Sequence, residues 1–201
     1  MLPSSLKDRL VVLESDLKSL PMRISVHDGL PFAIFQYLPN QEWELRKELD
    51  LLMTRLKEFG KQVYVLPMYK LLQSALDKIQ QKDKYEGLEA LIALEKQRGY
   101  LEAQKQMTTY LTEPLWSPLW NVLAEQLSDL DPLVTITFLT GAGALAPGLF
   151  QVSTLLNKMH NRTKVPTILF YPGSIEGTTG LRFMDLPDRN ALGNYRVKIY
   201  S

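Results

Sequence analysis

Four short apolar runs, each too brief for a helix and each leading toward a segment of helical spacing, constrain this chain most. They occupy residues 31–38 (PFAIFQYL), 62–66 (QVYVL), 133–139 (LVTITFL) and 165–171 (VPTILFY). A strand that is apolar on both of its faces has to be covered on both. Strands of that kind alternating with helices form a mainly parallel sheet, with right-handed crossovers as the default. The pattern predicts an α/β fold, a Rossmann-like sheet flanked by helices, in a single domain over residues 1–201. Two shorter strands are expected at residues 181–184 and 195–200.

The segments between the runs have helical periodicity. Leu6, Leu10, Leu13, Leu17 and Leu20 share one face of a helix that starts at a Ser5–Asp8 capping pair and stops before Pro21. Residues 41–59 present Leu45, Leu49, Leu52, Met53, Leu56 and Phe59, with Asn40 as the expected cap and Gly60 as terminator. Residues 69–81 repeat the pattern, and residues 82–112 read as continuing helix with Leu88, Leu91 and Ile92 inward. Pro118 opens a further helix to Ser128. Residues 69–128 are too long for one crossover and predict a helical insertion or subdomain. A last helix, ending near His160, carries Val152, Leu155, Leu156 and Met159 on one side.

Composition removes several classes of function. The chain has no cysteine, which excludes disulfide frameworks, thiolate metal sites and cysteine nucleophiles. Its 23 basic and 22 acidic residues leave a net charge of +1, without the basic excess of a phosphate-driven nucleic-acid binder. No run approaches the roughly 18 apolar residues of a membrane helix, and Lys7, Asp8 and Arg9 fall where a signal peptide needs an apolar core. A cytoplasmic protein without membrane contact is the expectation.

Ligands of open α/β sheets bind at the carboxyl ends of the strands, so the loops at residues 39–40, 140–148 and 172–180 are the candidates. The middle loop contains Gly141, Gly143 and Pro147, and glycines after a strand can turn backbone N–H groups toward phosphate. It lacks the lysine and hydroxyl of GxxxxGK[ST], because Leu149 and Phe150 follow Gly148. Ala146 replaces the third glycine of GxGxxG. A tight turn is the plainer reading. Tyr171, Pro172, Gly173 and Ser174 suit a type II turn, and neither His27 nor His160 lies in a motif that makes Ser174 a nucleophile. Asp185 and Asp188 read as turn residues or as partners of Arg182, Arg189 or Arg196. The lysines of residues 78–84 read as a solvated helix face. Trp116 and Trp120 read as core residues before docking anchors. No catalytic, cofactor-binding or metal-binding residue is assigned.

From residue 130 onward the order of motifs resembles the BrxB family of bacterial BREX phage-exclusion systems. The matching strings are FLTGAGALAP at residues 138–147, STLL at 153–156, VPTILFYPG at 165–173, GLRF at 180–183 and the closing Tyr195-Arg196. The resemblance implies a cytoplasmic defence protein with no assigned catalysis and no cofactor. Its expected partners are an AAA-type ATPase, an alkaline-phosphatase-like protein and a DNA methyltransferase, with at most a weak or indirect association with DNA. The expected function is a non-enzymatic assembly or adaptor subunit of a system that blocks phage DNA replication while host DNA is marked by methylation. Its candidate interaction loops contain Gly141, Gly143, Pro147, Tyr171, Pro172, Gly173, Arg182 and Arg196. Two alternatives stay open: a nucleotide-responsive, P-loop-like domain without the standard phosphate motifs, and a nucleic-acid-binding module.

Overall fold

Residues Phe32–Tyr37 form β1, in which all six residues are buried. Phe32 and Ile34 join one hydrophobic cluster, while Ala33, Phe35 and Tyr37 join the other. Such a strand has to lie between two layers, and the computed structural model of the protein places it there. The structure describes residues 5–24, 30–146, 149–176, 180–186, 195 and 197–201.

The other strands are β2 (Gln62–Pro67), β3 (Thr135–Thr140), β4 (Thr167–Glu176), β5 (Gly180–Phe183) and β6 (Lys198–Tyr200). Four of them join β1 in a parallel sheet of order β2-β3-β4-β1-β6, and β5 pairs antiparallel with the far end of β4. Helices cover both faces, which is the doubly wound layout expected, although the order is not the 3-2-1-4-5-6 of dinucleotide-binding folds. On one face lie α1 (Leu6–Lys18) and α2 (Glu42–Glu58), packed through Leu10, Leu13, Leu17, Leu49, Leu52 and Leu56 against Phe35, Phe138 and Phe170. The opposite face carries α3 (Met68–Lys82), α4 (Leu88–Arg98), α5 (Tyr100–Thr112), α6 (Leu119–Ser128) and α7 (Val152–Met159). That cluster runs from Ile34, Leu139 and Leu169 of the sheet into Leu71, Tyr110, Leu123 and Leu155 of the helices.

Local chemistry sets the helix ends. The Ser5 hydroxyl accepts from the Asp8 N–H at 3.2 Å and the Asp8 carboxylate accepts from the Ser5 N–H at 3.1 Å, the reciprocal capping box expected. Asn40 does not cap α2. Residues Pro39–Gln41 form a 3-10 turn, in which the Gln41 side chain accepts from the Leu38 N–H at 3.1 Å. The continuous helix expected over residues 82–112 is broken twice, after Lys82 and at Gly99. Gly87 and Gly99 have φ of +98° and +88°, which ends the α4 run on either side. The expected strand at residues 195–200 is shorter, at Lys198–Tyr200. Trp120 packs on Phe150 with ring centroids 6.1 Å apart, and Trp116 meets Tyr110 edge-on at 5.2 Å, so both indoles belong to the core region.

The short edge strand β6 is tied to α1 by charge. Asp16, 5% exposed, accepts hydrogen bonds from Lys198 Nζ at 2.5 Å and Tyr200 Oη at 2.8 Å, and its other oxygen lies 3.2 Å from Arg23 Nε. Burial pushes the Asp16 carboxyl up, but the Lys198 and Tyr200 hydrogen bonds and the two cations outweigh it and hold the pKa below its ordinary 3.8. A depressed folded-state pKa contributes stability that is complete above 3.8 and is lost as pH falls through the lower folded-state value. Asp16→Asn should cost about 2 kcal/mol at neutral pH and flatten the acid limb of the stability curve, read by urea melts from pH 7 down to about 3. A variant with an unchanged acid limb would mean that the carboxylate does not hold β6.

Candidate functional site

The carboxyl edge of the sheet is where its connections diverge. The chain leaves β1 for α2 on one face, whereas β2 and β3 send theirs to α3 and α7 on the other. A cleft of about 370 Å³ opens on the α2 side of this edge. Its floor is apolar, with Leu45, Leu49 and Met53 of α2 facing Phe138 and Phe170 of the sheet. Its rim is formed by Tyr37, Glu42, Arg46, Asp50, Tyr69, Thr140 and Gly141. An apolar hollow with a few convergent polar groups is the ordinary form of a small-ligand site.

The rim polar groups are ordered by one another. Tyr37 donates its phenolic hydrogen to Glu42, and Arg46 Nε donates to the other Glu42 oxygen at 2.8 Å. The Arg46 guanidinium lies 5.2 Å from the centroid of Trp43, which is 73% exposed. Burial, and then the hydrogen bond and charge of Glu42, push the Tyr37 phenol well above its usual range, so Tyr37 is a fixed donor at neutral pH. Glu42, Arg46 and Asp50 stand four residues apart along α2, one turn outside the Leu45–Leu49–Met53 row. The sequence contains this i, i+4 charge ladder, and it was the available signal for a rim that motif searching passes over.

The second feature of this edge is a knot around Gln36. Arg9 Nη1 donates to the Gln36 backbone oxygen at 2.5 Å and to its side-chain oxygen at 3.2 Å. The Gln36 amide in turn donates to the Gly173 carbonyl of β4. Gln36 is the one polar residue in the six of β1, and that interruption of an apolar run is its trace in the sequence.

The predicted loop residues are dispersed among different roles. Gly141, with φ +65°, initiates a 3-10 turn over Ala142–Leu145, in which the Ala144 and Ala146 N–H groups donate to the Gly141 and Gly143 carbonyls. Gly143 lies close to Met184, in the turn that follows β5. Tyr171 is 3% exposed and packs edge-on against Phe183 and Tyr195, at 5.5 and 6.4 Å between centroids. Pro172 and Gly173 do not form the expected turn. They lie within β4, where parallel pairing with β1 ends at Tyr37↔Pro172 and antiparallel pairing with β5 begins at Gly173↔Phe183. A proline is tolerated at such a joint because its missing N–H is not required by both neighbours. Arg182 is ion-paired with Glu176 across the β4–β5 hairpin, and Asp185 is an exposed turn residue with φ +54°. His160 is exposed at the end of α7, and Lys78 pairs with Glu125 at 2.5 Å. Pro147, Gly148, Asp188, Arg189, Arg196 and His27 lie outside the described residues. Among the described residues no helix is long and apolar enough to cross a membrane.

Fold and edge together define a doubly wound α/β protein with an aromatic-floored cleft and an internally bonded carboxyl edge. The BREX protein BrxB family matches residues 67–199, and the chain belongs to that family. It is similar to a BREX protein BrxB of Bacillus cereus, 25% identical over an alignment of 170 positions that covers 79% of each chain. No solved structure matches it.

The β4–β5 joint yields a steric prediction. A Cβ on Gly173 would run into the Arg182 carbonyl, whereas one on Gly99 would meet nothing within 4 Å. Gly173→Ala should therefore cost about 3–4 kcal/mol, lowering Tm by about 10 °C, against about 1–2 kcal/mol for Gly99→Ala, whose strain is backbone alone. Equal shifts in thermal melts would contradict the crowded joint.

Proposed function

We propose that the protein is a non-catalytic assembly subunit of a BREX phage-defence system, docking with that system's other components. The observation that carries this reading is membership of the BrxB family across residues 67–199. The internal bonding of the carboxyl edge supports it. The Gly141 and Gly143 carbonyls accept from backbone N–H groups, and Gln36 joins Arg9 to the Gly173 carbonyl, which suits a rigid docking frame. In this reading the Gly141–Gly143 turn and the Arg182 hairpin are offered to a partner. Its partners are the AAA-type ATPase, the alkaline-phosphatase-like protein and the DNA methyltransferase of the same system.

Expression of the whole operon with a tag on this subunit tests the proposal. The ATPase or the phosphatase-like component should co-purify at mild salt, and recovery of the subunit alone in repeated pull-downs would contradict it. The cleft favours a second reading, in which a nucleotide binds at the carboxyl edge. A ligand of the native state raises Tm by mass action. A thermal shift with millimolar ATP or GTP and magnesium that is lost in Phe138→Ala favours the nucleotide reading, and no shift removes it.

A further inference from the structure

Among the described residues, ion pairs engage Arg23, Arg46, Arg55 and Arg182 but not Arg9, Arg98 or Arg162, and of those three only Arg9 is buried. Arg9 is only 9% exposed. Its Nη1 is held by two neutral oxygens of Gln36, its guanidinium carbon lies 5.3 Å from the centroid of the Phe35 ring, and its Nε is buried with no hydrogen-bond partner. Burial alone shifts its pKa downward, with no anion opposing that shift. A buried cation without a counter-charge is costly, and such groups are ordinarily paired. Bonding to Gln36 occupies Nη1 and leaves Nε without a partner, so the donors of the guanidinium are only partly used.

This cation lines a recess of about 250 Å³ between Asp8, Arg9 and Val12 of α1 and residues 198–201 at the end of β6. The recess runs along β6, which pairs with β1 from Ala33↔Lys198 to Phe35↔Tyr200, and on to Ser201. Lys198, on the opposite wall, is already bonded to Asp16. Asp8 is engaged with the Ser5 N–H and hydroxyl and contributes a negative charge to the rim. We propose that this recess binds a small oxyanion, a phosphoryl or carboxylate group, on the Arg9 donors that Gln36 leaves free. The site stands independently of the assembly role, because it rests on Arg9 and its surroundings alone.

Titration of the whole protein with inorganic phosphate, and separately with acetate, tests the site. Ionic strength is held constant with sodium chloride and the Arg9 Nε–H and backbone amides are followed by NMR. The expected result is a saturable perturbation confined to Arg9 and residues 198–201. Arg9→Lys keeps the charge but not the fork, and should weaken binding by about five-fold or more. Asp8→Asn, which removes a like charge from the rim, should strengthen binding about two- to five-fold. It also keeps the proposal testable should the Arg9 variant fail to fold. Saturation by phosphate alone identifies a phosphoryl ligand, by acetate alone a carboxylate, and either supports the site. No saturable response to either anion, or binding unchanged in both variants, overturns it.

Discussion

β1 and β4 run side by side through six parallel residue pairs, from Phe32↔Thr167 to Tyr37↔Pro172. Each strand is buried on both faces along this pairing and contributes to both hydrophobic clusters, as the neighbouring β3 does through Phe138 and Leu139. A one-residue slip of either strand would exchange the faces of its side chains, Ile34 with Phe35 or Leu169 with Phe170, and put each in the wrong cluster. The register therefore decides where α2 packs, where the cleft opens, and which residue of β1 reaches Gly173. Everything at the carboxyl edge inherits its position from this pair.

The edge itself is fixed by polar groups that the sheet's own ladder leaves over. β6 pairs with β1 only as far as Phe35, and Arg9 takes the carbonyl of the next residue. Gln36 then reaches β4 and accepts from Arg9, so one amide links helix α1 to both central strands. A few turns further along α1, Asp16 collects Lys198, Tyr200 and Arg23. One face of α1 thus combines leucines that bury area with two charged residues, Arg9 bonded to β1 and Asp16 holding the last strand. Area supplies most of the free energy, while the buried polar contacts select the arrangement.

Much of this was legible in the residues. Continuous apolar strands and leucine spacing gave the two-sided parallel sheet and the covering helices, because burial and periodicity act locally along the chain. The ordered C-terminal strings pointed to the family that residues 67–199 match. Boundaries were weaker wherever one residue altered the backbone. Gly99 splits an expected helix, and Gln41 rather than Asn40 organises the start of α2. The Pro172–Gly173 pair misled for a physical reason. It has turn chemistry, yet sheet pairing on both sides holds it extended at the joint between two ladders. The cleft and the Arg9 recess were hidden because their walls come from residues far apart in sequence. Tyr37 and Phe138, or Arg9 and Ile199, become neighbours only once the strand order is set.

Native-state hydrogen exchange tests the primacy of the central pair most directly. Amides at residues 33–36 and 168–171 should exchange only through global unfolding, with a denaturant dependence equal to that of the whole protein. Amides of α4, in which Leu91 is the buried residue, should exchange through smaller openings and faster. Exchange in β1 as fast as in α4 would contradict an account that builds the fold outward from β1 and β4.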